Sequence, residues 1–188
     1  MLFRSVRQAY TYGLISQETR VLEVGSGALR NVKWLHKRRI LPDVVEQAAV
    51  IARYRYAYDA LISAGACVFI DDFPKADYDI IICTFVLGTI TPQNKRKTFL
   101  RRIADTLKPT GHLVLSLRGP GDVKTKTRAG RRWRDGYRTP CGTFIKPFTR
   151  AEAINLASTA GLQPIAPHFT FSSNSGILDL LLGLQHEN

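Results

Sequence analysis

The sequence predicts an α/β fold in which a mostly parallel sheet of seven strands carries helices on both faces. First, short unbroken apolar strands alternate with segments of helical periodicity. Buried parallel strands are continuous apolar runs because helices cover both faces of their sheet. Second, the turn-forming segment 172–176 separates two apolar stretches at the end of the chain, which predicts an antiparallel hairpin. We expect a single domain over residues 1–188.

The predicted elements alternate in chain order. Predicted helices cover residues 4–15, 28–39, 51–64, 92–107 and 149–160, and predicted strands cover residues 21–24, 43–46, 67–70, 78–85, 112–117 and the two closing stretches. Gly65 and Gly161 end helices because glycine tolerates the backbone conformation that follows a last turn. Pro92 suits the start of a helix, and Thr149 with Glu152 has the spacing of a capping box.

Positive charge is concentrated in one segment. The chain has 27 Lys and Arg against 15 Asp and Glu, a formal net charge of +12. Residues 118–138 contain eight basic and two acidic side chains, a net +6. Residues 119–147 are rich in Gly, Pro, Arg and Lys with little periodicity, which predicts a basic loop inserted in the domain. The surplus favours polyanionic partners such as nucleic acid, although a basic proteome accounts for the overall charge equally well.

Three scattered cysteines, Cys67, Cys83 and Cys141, form no CxxC pair. Their number and spacing are atypical of a disulfide framework or a metal site and suit a reducing compartment. The first ten residues lack the long apolar segment of a signal peptide, and the apolar run 177–184 is too short to cross a bilayer. We therefore expect a cytoplasmic protein with no membrane segment and no metal.

A glycine loop follows the first predicted strand. The stretch VLEVGSG ends a buried strand in Gly25-Ser26-Gly27, and helical periodicity resumes afterwards. Glycine lets the backbone approach a ligand closely because no Cβ stands in the way. A dinucleotide site needs a third glycine where this chain has Arg30, so NAD and FAD are disfavoured. The alternative ligand is a nucleoside without a phosphate.

Carboxylates lie at the ends of three predicted strands. Glu23 precedes Gly25 by two residues, Glu46 ends the second strand, and Asp71 and Asp72 end the third. A carboxylate about 20 residues after the first glycine of such a loop is suited to bind ribose hydroxyls. We expect Glu23 to hold an ammonium group, and Asp71 and Asp72 to meet an adenine amino group.

Successive segments resemble class I, Rossmann-like S-adenosylmethionine-dependent methyltransferases. VLEVGSGALRNVKWL with DVVE is similar to the first two motifs of that family, and VFIDDFPKADYDIIICTFVLGTI to the next two in compressed form. FLRRIADTLKPTGHLVLSL resembles the family's helix and fifth strand, and FTRAEAINLASTAGLQPI with the final hairpin resembles the remaining elements. The resemblance spans residues 21–184 and implies methyl-transfer activity with S-adenosylmethionine as cofactor. Leu29 departs from the family pattern, and it either packs in place of a glycine or narrows the methionine pocket.

The resemblance also implies a set of cofactor-binding residues. Glu23 would orient the amino end of the cofactor, and Glu46 would bind the ribose hydroxyls. The full set is Glu23, Gly25, Ser26, Gly27, Glu46, Gln47, Asp71, Asp72, Phe73, Thr84 and Phe85, with residues 47 and 71–73 at the adenine and residues 84 and 85 near the methyl group. Three of these assignments have a structural alternative: the aspartates cap a helix or turn, Glu46 is solvated, and the glycines serve only the turn.

The basic segment predicts the acceptor. Arginines interleaved with aromatic residues are typical of surfaces that bind phosphates and stack on bases. The candidate substrate-binding residues are Arg118, Arg131, Arg132, Trp133, Arg134 and Tyr137. RNA is the favoured acceptor; a flexible solvated lid over another substrate is the alternative for this segment. A small-molecule or protein methyltransferase, and a non-catalytic nucleic-acid-binding protein on the same fold, are the competing hypotheses.

No catalytic residue is predicted. Transfer from a sulfonium depends on alignment and desolvation more than on a dedicated base. The Asn/Asp-Pro-Pro-Tyr/Phe motif of amino-methylating DNA enzymes is missing, since the fourth strand ends in TFVL. Cys141 follows a proline, as in cytosine-C5 methylases, but it lies far from the fourth strand, so a structural role is favoured.

Overall fold

Parallel strands form the centre of the molecule. The computed structural model describes residues 4–75, 77–126, 131–165, 171–172 and 176–185. The parallel strands are β1 (Val21–Val24), β2 (Asp43–Glu46), β3 (Val68–Ile70), β4 (Tyr78–Thr84) and β5 (Leu107–Arg118). Their order across the sheet is β3-β2-β1-β4-β5. Every residue of β1 is buried, as expected of a strand that is covered on both faces.

Most helices are shorter than predicted. They are α1 (Arg4–Thr11), α2 (Arg30–His36), α3 (Ala48–Arg53), α4 (Arg55–Ser63), α5 (Gln93–Ala104), α6 (Pro120–Lys126) and α7 (Arg150–Ser158). The single helix predicted over residues 51–64 is wrong, because the chain leaves helical geometry at Tyr54, with φ −116° and ψ 27°. α2 begins only after Leu29, which has a left-handed φ of 58°. The predicted extension of α5 to residue 107 is also wrong, because Leu107 pairs with Tyr78 and begins β5.

The basic segment has regular structure where the sequence predicted an irregular loop. α6 follows β5, and a second sheet consists of three antiparallel strands, β6 (Arg131–Trp133), β7 (Gly136–Arg138) and β8 (Phe144–Ile145). We call this the small sheet. Gly136 permits its close pairing, since a Cβ there would lie 2.5 Å from the carbonyl oxygen of Ile145. Residues 127–130 lie outside the described residues.

Antiparallel strands complete the main sheet. β11 (Ile177–Leu184) pairs with β5, and its other edge is shared by β9 (Leu162–Pro164) and β10 (Phe171–Ser172). The sheet therefore has seven strand positions, the outermost of which is divided between two short strands. This confirms the predicted fold class, a mostly parallel sheet with an antiparallel C-terminal hairpin. Residues 173–175 of the predicted turn lie outside the described residues.

Apolar layers cover both faces of the main sheet. On one face, Ile81 and Cys83 of β4 pack with Leu100 and Ile103 of α5, and on the other face Ile80 packs with α1 and α2. This division follows from the alternation of side chains along a strand. The carboxyl ends of parallel strands lie along one edge of a sheet, so the residues that end β1 to β5 are brought together there. Among the described residues, no helix is long and apolar enough to span a membrane.

Candidate functional site

In the turn after β1, position 25 has no room for a side chain, so only glycine fits there. Gly25 has a φ of +73°, and a Cβ at this position would lie 2.2 Å from Cγ2 of Val86. The Gly25 backbone N–H donates to the carbonyl oxygen of Val45 in β2, at 2.8 Å. The turn is therefore held against the ends of two other strands.

Glu46 braces the glycine loop from the end of β2. Its Oε2 accepts a hydrogen bond from the Gly27 backbone N–H at 2.7 Å, and its Oε1 accepts one from the Gln47 N–H at 2.8 Å. Glu46 is buried. Each carboxylate oxygen has two lone-pair directions, so both oxygens retain capacity for a ligand hydroxyl.

Glu23 is a buried acid with an unsatisfied oxygen. The Asn31 side-chain amide donates to its Oε1 at 2.7 Å, but its Oε2 has no hydrogen-bond partner among the described residues. Burial raises the pKa of Glu23 to about 8, against the opposing effect of the Asn31 hydrogen bond. A buried carboxyl group with a free oxygen is suited to receive a cation, because a positive charge would favour its ionised form.

Ser26 and Leu29 hold the loop from behind. The Ser26 hydroxyl lies 3.0 Å from the Tyr58 hydroxyl, which also donates to the carbonyl oxygen of Gly27 at 2.9 Å. Leu29 is 1% exposed and packs in an apolar cluster with Val32 and Tyr58. Of the two alternatives for Leu29, this placement favours packing. Burial raises the pKa of Tyr58 to about 12, so the phenol keeps the proton that it donates.

Asp71 and Asp72 have protein partners. The Asp71 carboxylate accepts a hydrogen bond from the Ala48 N–H at the start of α3, at 3.3 Å, which corresponds to the capping alternative. Asp72 pairs with the Arg102 guanidinium. Arg102 in turn lies over the ring of Phe73, 4.7 Å from its centroid, so these residues form one side of a cleft.

A cavity of about 200 Å³, here the glycine-loop cavity, lies beside these groups. It brings together five of the eleven predicted cofactor residues, namely Gly25, Glu46, Gln47, Asp71 and Phe73. Glu23, Ser26, Gly27, Asp72, Thr84 and Phe85 do not line it. Seven further lining residues were not predicted from the sequence, namely Val24, Val45, Val86, Thr89, Ile90, Phe99 and Arg102. The apolar run that follows β4 could have indicated that residues 86–90 line a cavity. No feature of the sequence indicated a role for Arg102.

A second cavity of about 150 Å³, here the Phe85 cavity, has one lining residue in common with the first. Both are lined by Thr89. Phe85 has a φ of 62° and donates its N–H to the carbonyl oxygen of Ser116 in β5, at 2.8 Å, while Thr84 is buried at the end of β4. The Arg118 guanidinium lies 4.4 Å from the Phe85 ring centroid. The other lining residues are Gly88, Thr143, Ile145 and Lys146.

Cross-strand register separates the predicted acceptor residues in the small sheet. Arg132 is opposite Tyr137, and Tyr137 is opposite Ile145, so these three side chains share one face. Trp133 lies on the other face, with its ring edge-on to Phe144 at a centroid distance of 5.5 Å. Arg131 opposes Arg138 on that same face, and Arg134 in the turn lies over Trp133 at 4.5 Å.

A buried arginine fastens the small sheet to the main body. Arg96 of α5 is fully buried; its Nε donates to the carbonyl oxygen of Ile90 at 2.8 Å, and its guanidinium pairs with both oxygens of Asp135 at 2.5 and 3.0 Å. The hydrogen bond from Arg96 holds the pKa of Asp135 below its usual range. A cavity of about 360 Å³ beside this pair also contains the ion pair between Lys146 and Glu152, at 3.2 Å. The charged groups that line this cavity are therefore already paired with one another.

The described residues contain no cluster of three metal-ligating side chains. The donor set beside the glycine loop instead fits S-adenosylmethionine. Glu23 offers an orphaned buried oxygen for an ammonium group, Glu46 offers carboxylate oxygens for ribose hydroxyls, and Phe73 with Phe99 offers aromatic surface for a base. The loop lacks the third glycine that a dinucleotide-binding turn uses for close packing of the helix on the strand.

A family model matches most of this chain. The family described as Methyltransferase domain matches residues 2–166. Human tRNA N(3)-cytidine methyltransferase METTL2B is 33% identical over 99 residues, which cover 49% of this chain and 25% of the relative. Its counterpart METTL2 from Danio rerio is 32% identical over 98 residues, which cover 50% and 28%. The chain thus spans about a quarter of the length of the curated relatives it matches.

Several solved structures share the fold. The CcbJ methyltransferase from Streptomyces caelestis has a TM-score of 0.73 at 16% identity, covering 97% of this chain and 90% of that one. An S-adenosylmethionine-dependent methyltransferase from Clostridium acetobutylicum has a TM-score of 0.73 at 8% identity, covering 99% and 93%. The glycopeptide N-methyltransferase MtfA, solved with sinefungin, has a TM-score of 0.71 at 12% identity, covering 95% and 92%.

Proposed function

This chain belongs to the methyltransferase domain family, and we propose that it uses S-adenosylmethionine to methylate a base of an RNA. The observation that carries the proposal is that one residue, Thr89, lines both of its cavities. The glycine-loop cavity and the Phe85 cavity meet at Thr89, and the small sheet of the basic segment walls the second of them. A methyl donor bound in the glycine-loop cavity and an acceptor bound in the Phe85 cavity would therefore be neighbours.

The glycine-loop cavity is the proposed cofactor site. Glu46 accepts the ribose hydroxyls, and Phe73 packs on the adenine beside Gln47 and Asp71. Glu23 does not line the cavity, but it is the neighbour of the lining residue Val24, and its unsatisfied Oε2 attracts the ammonium group from there. Gly25, Ser26 and Gly27 form the turn beneath the methionine and ribose. Asp72 contributes through its pair with Arg102. Phe85 lines the acceptor side, and Thr84 is buried next to it at the end of β4.

The Phe85 cavity is the proposed acceptor site. S-adenosylmethionine supplies an activated methyl group, so the protein needs to align the acceptor and exclude water. Among the described residues, the cavity is lined by no carboxylate and no imidazole. This suits an acceptor atom that already has a free lone pair, such as a ring nitrogen of a base, because no proton then has to be removed before transfer.

The choice of RNA is supported by charge and by the relatives. Residues 118–138 carry half of the net charge of the chain, and four of their arginines lie within six residues of Tyr137 in an exposed hairpin. Such a surface suits phosphates and unstacked bases. Both curated relatives carry the name of tRNA N(3)-cytidine methyltransferases, and N3 is a ring nitrogen of the kind that the cavity suits.

The proposal is tested by methyl transfer from radiolabelled S-adenosylmethionine to total tRNA, single-stranded DNA and a protein extract. We expect label in the RNA, with transfer falling steeply as salt rises because phosphate contacts release counterions. Glu46→Ala should abolish labelling, whereas Asp59→Ala on the exposed surface of α4 should leave it unchanged. Label confined to protein or to small molecules would contradict an RNA acceptor.

A further inference from the structure

We propose that the acceptor enters the Phe85 cavity as an unpaired nucleotide, and that Arg132 and Tyr137 guide it along one face of the small sheet. This inference rests on the proposed function. It specifies which form of the nucleic acid the site accepts and which surface leads to the cavity.

One face of the small sheet leads to the Phe85 cavity. Arg132, Tyr137 and Ile145 are directly opposed on neighbouring strands, so their side chains form a row on the same face. Ile145, at one end of this row, lines the cavity together with Phe85 and Arg118. Arg132 is exposed and Tyr137 is half-buried. The row therefore places a cation and an aromatic ring in sequence before the entrance. We call this surface the cavity face.

The opposite face of the small sheet is used for packing. Phe144 on that face is 7% exposed, and Trp133 lies edge-on against it. The Arg96 guanidinium lies 5.7 Å from the Phe144 ring centroid, which ties this face to α5. Arg131 has the same charge and exposure as Arg132 but lies on this face. It is therefore a matched control for Arg132.

The Phe85 cavity fits one base. Its volume is about 150 Å³, and we expect it to take a single flat ring and not a base pair. The Arg118 guanidinium and the Phe85 ring lie 4.4 Å apart within its lining. Aromatic rings and guanidinium planes are the surfaces on which proteins stack unpaired RNA bases. A base held in a duplex would first have to leave its stack.

Backbone hydrogen bonds fix the small sheet beside this cavity. The Lys146 N–H, which follows β8, donates to the carbonyl oxygen of Gly88 at 2.8 Å. The Phe148 N–H donates to the carbonyl oxygen of Arg118 at 2.9 Å. Because Gly88 and Arg118 both line the cavity, the sheet is joined to the cavity wall itself.

The test measures binding of a fluorescein-labelled single-stranded oligoribonucleotide, and of the same strand annealed to its complement, at several salt concentrations. We expect the wild type to bind the single strand at least about tenfold more tightly than the duplex. Arg132→Ala should weaken single-strand binding by at least about fivefold and lower the salt slope by about 0.7, the value for one phosphate contact. Tyr137→Ala should weaken it similarly without changing the slope, because stacking carries no charge.

Matched variants separate the cavity face from general charge. Arg131→Ala should stay within about twofold of the wild type, and Arg132→Lys and Tyr137→Phe should retain most of the affinity. Equal losses for Arg131→Ala and Arg132→Ala, or equal binding of the duplex, would overturn this inference while leaving RNA as the acceptor. Absence of binding to either form at low salt would instead overturn the proposed function. Thermal unfolding of each variant confirms that it is folded.

Discussion

At the scale of single residues, the site contains a buried acid that the fold alone does not satisfy. Glu23 is the second-last residue of the apolar strand β1, accepts a hydrogen bond from Asn31 and leaves its Oε2 without a hydrogen bond among the described residues. Leaving a buried polar atom unpaired costs free energy of about 1–3 kcal/mol. A residue of this kind is typical of a ligand site, where the missing partner arrives with the ligand.

Glu23 makes the stability of the unliganded protein depend on pH. Its pKa is raised by burial from 4.5 to about 8, so folding takes up a proton between these pH values. The stability contribution of the protonated acid is fully present below pH 4.5 and is lost as the pH rises to about 8, at a rate of at most about 1.4 kcal/mol per pH unit. Glu23→Gln stays neutral, so its free energy of unfolding should exceed that of the wild type increasingly as the pH rises. Urea unfolding at several pH values measures this, and a difference that is constant with pH would contradict it.

A substitution at Leu29 tests whether this departure from the family pattern serves packing or changes the affinity for the cofactor. Leu29 is almost fully buried among Val32, Val44 and Tyr58. Leu29→Ala should therefore lower the free energy of unfolding by about 2–5 kcal/mol and leave the affinity for S-adenosylhomocysteine within about twofold of the wild type. Chemical unfolding and calorimetry measure the two effects. A marked gain in affinity would show that Leu29 narrows the cofactor pocket instead.

At the scale of elements, the ion pair between Arg96 and Asp135 joins the small sheet to α5. Asp135→Asn would leave the buried Arg96 without its countercharge, which costs up to about 3–5 kcal/mol for a fully buried pair. We expect faster backbone hydrogen exchange in residues 131–138, with the strands of the main sheet still protected. Asp59→Asn is the control, because its pair with Arg55 is exposed and 3.7 Å long and is worth little. Equal exchange in both variants would show that Asp135 does not anchor the sheet.

The sequence predicted those elements that have strong local signals. β1 and β2 have the predicted bounds, and the capping box of Thr149 and Glu152 is formed, with the Glu152 N–H donating to the Thr149 hydroxyl at 3.2 Å. The small sheet was not predicted, because strands of two or three residues show no periodicity and are stabilised by partners such as Arg96. The break at Tyr54 was likewise hidden within a continuous helical pattern.

At the scale of the whole molecule, parallel strand order assembles the candidate site. The order β3-β2-β1-β4-β5 places the ends of β1, β2 and β4 side by side, so residues distant in sequence line the same cavities. Periodicity and spacing predicted this edge and the carboxylates Glu23 and Glu46. They did not predict Thr89 as the boundary between the cavities, because that role depends on how the loop after β4 packs against the small sheet.

The most direct test of the account is a calorimetric titration of S-adenosylhomocysteine into the wild type, Glu46→Ala and Asp59→Ala. Binding of one ligand per chain is expected for the wild type. Glu46→Ala should weaken it by at least about tenfold, or about 1.4 kcal/mol, because the ribose hydroxyls lose their acceptor, while Asp59→Ala should bind like the wild type. Undiminished affinity of Glu46→Ala, or no binding by the wild type, would contradict the placement of the nucleoside beside the glycine loop.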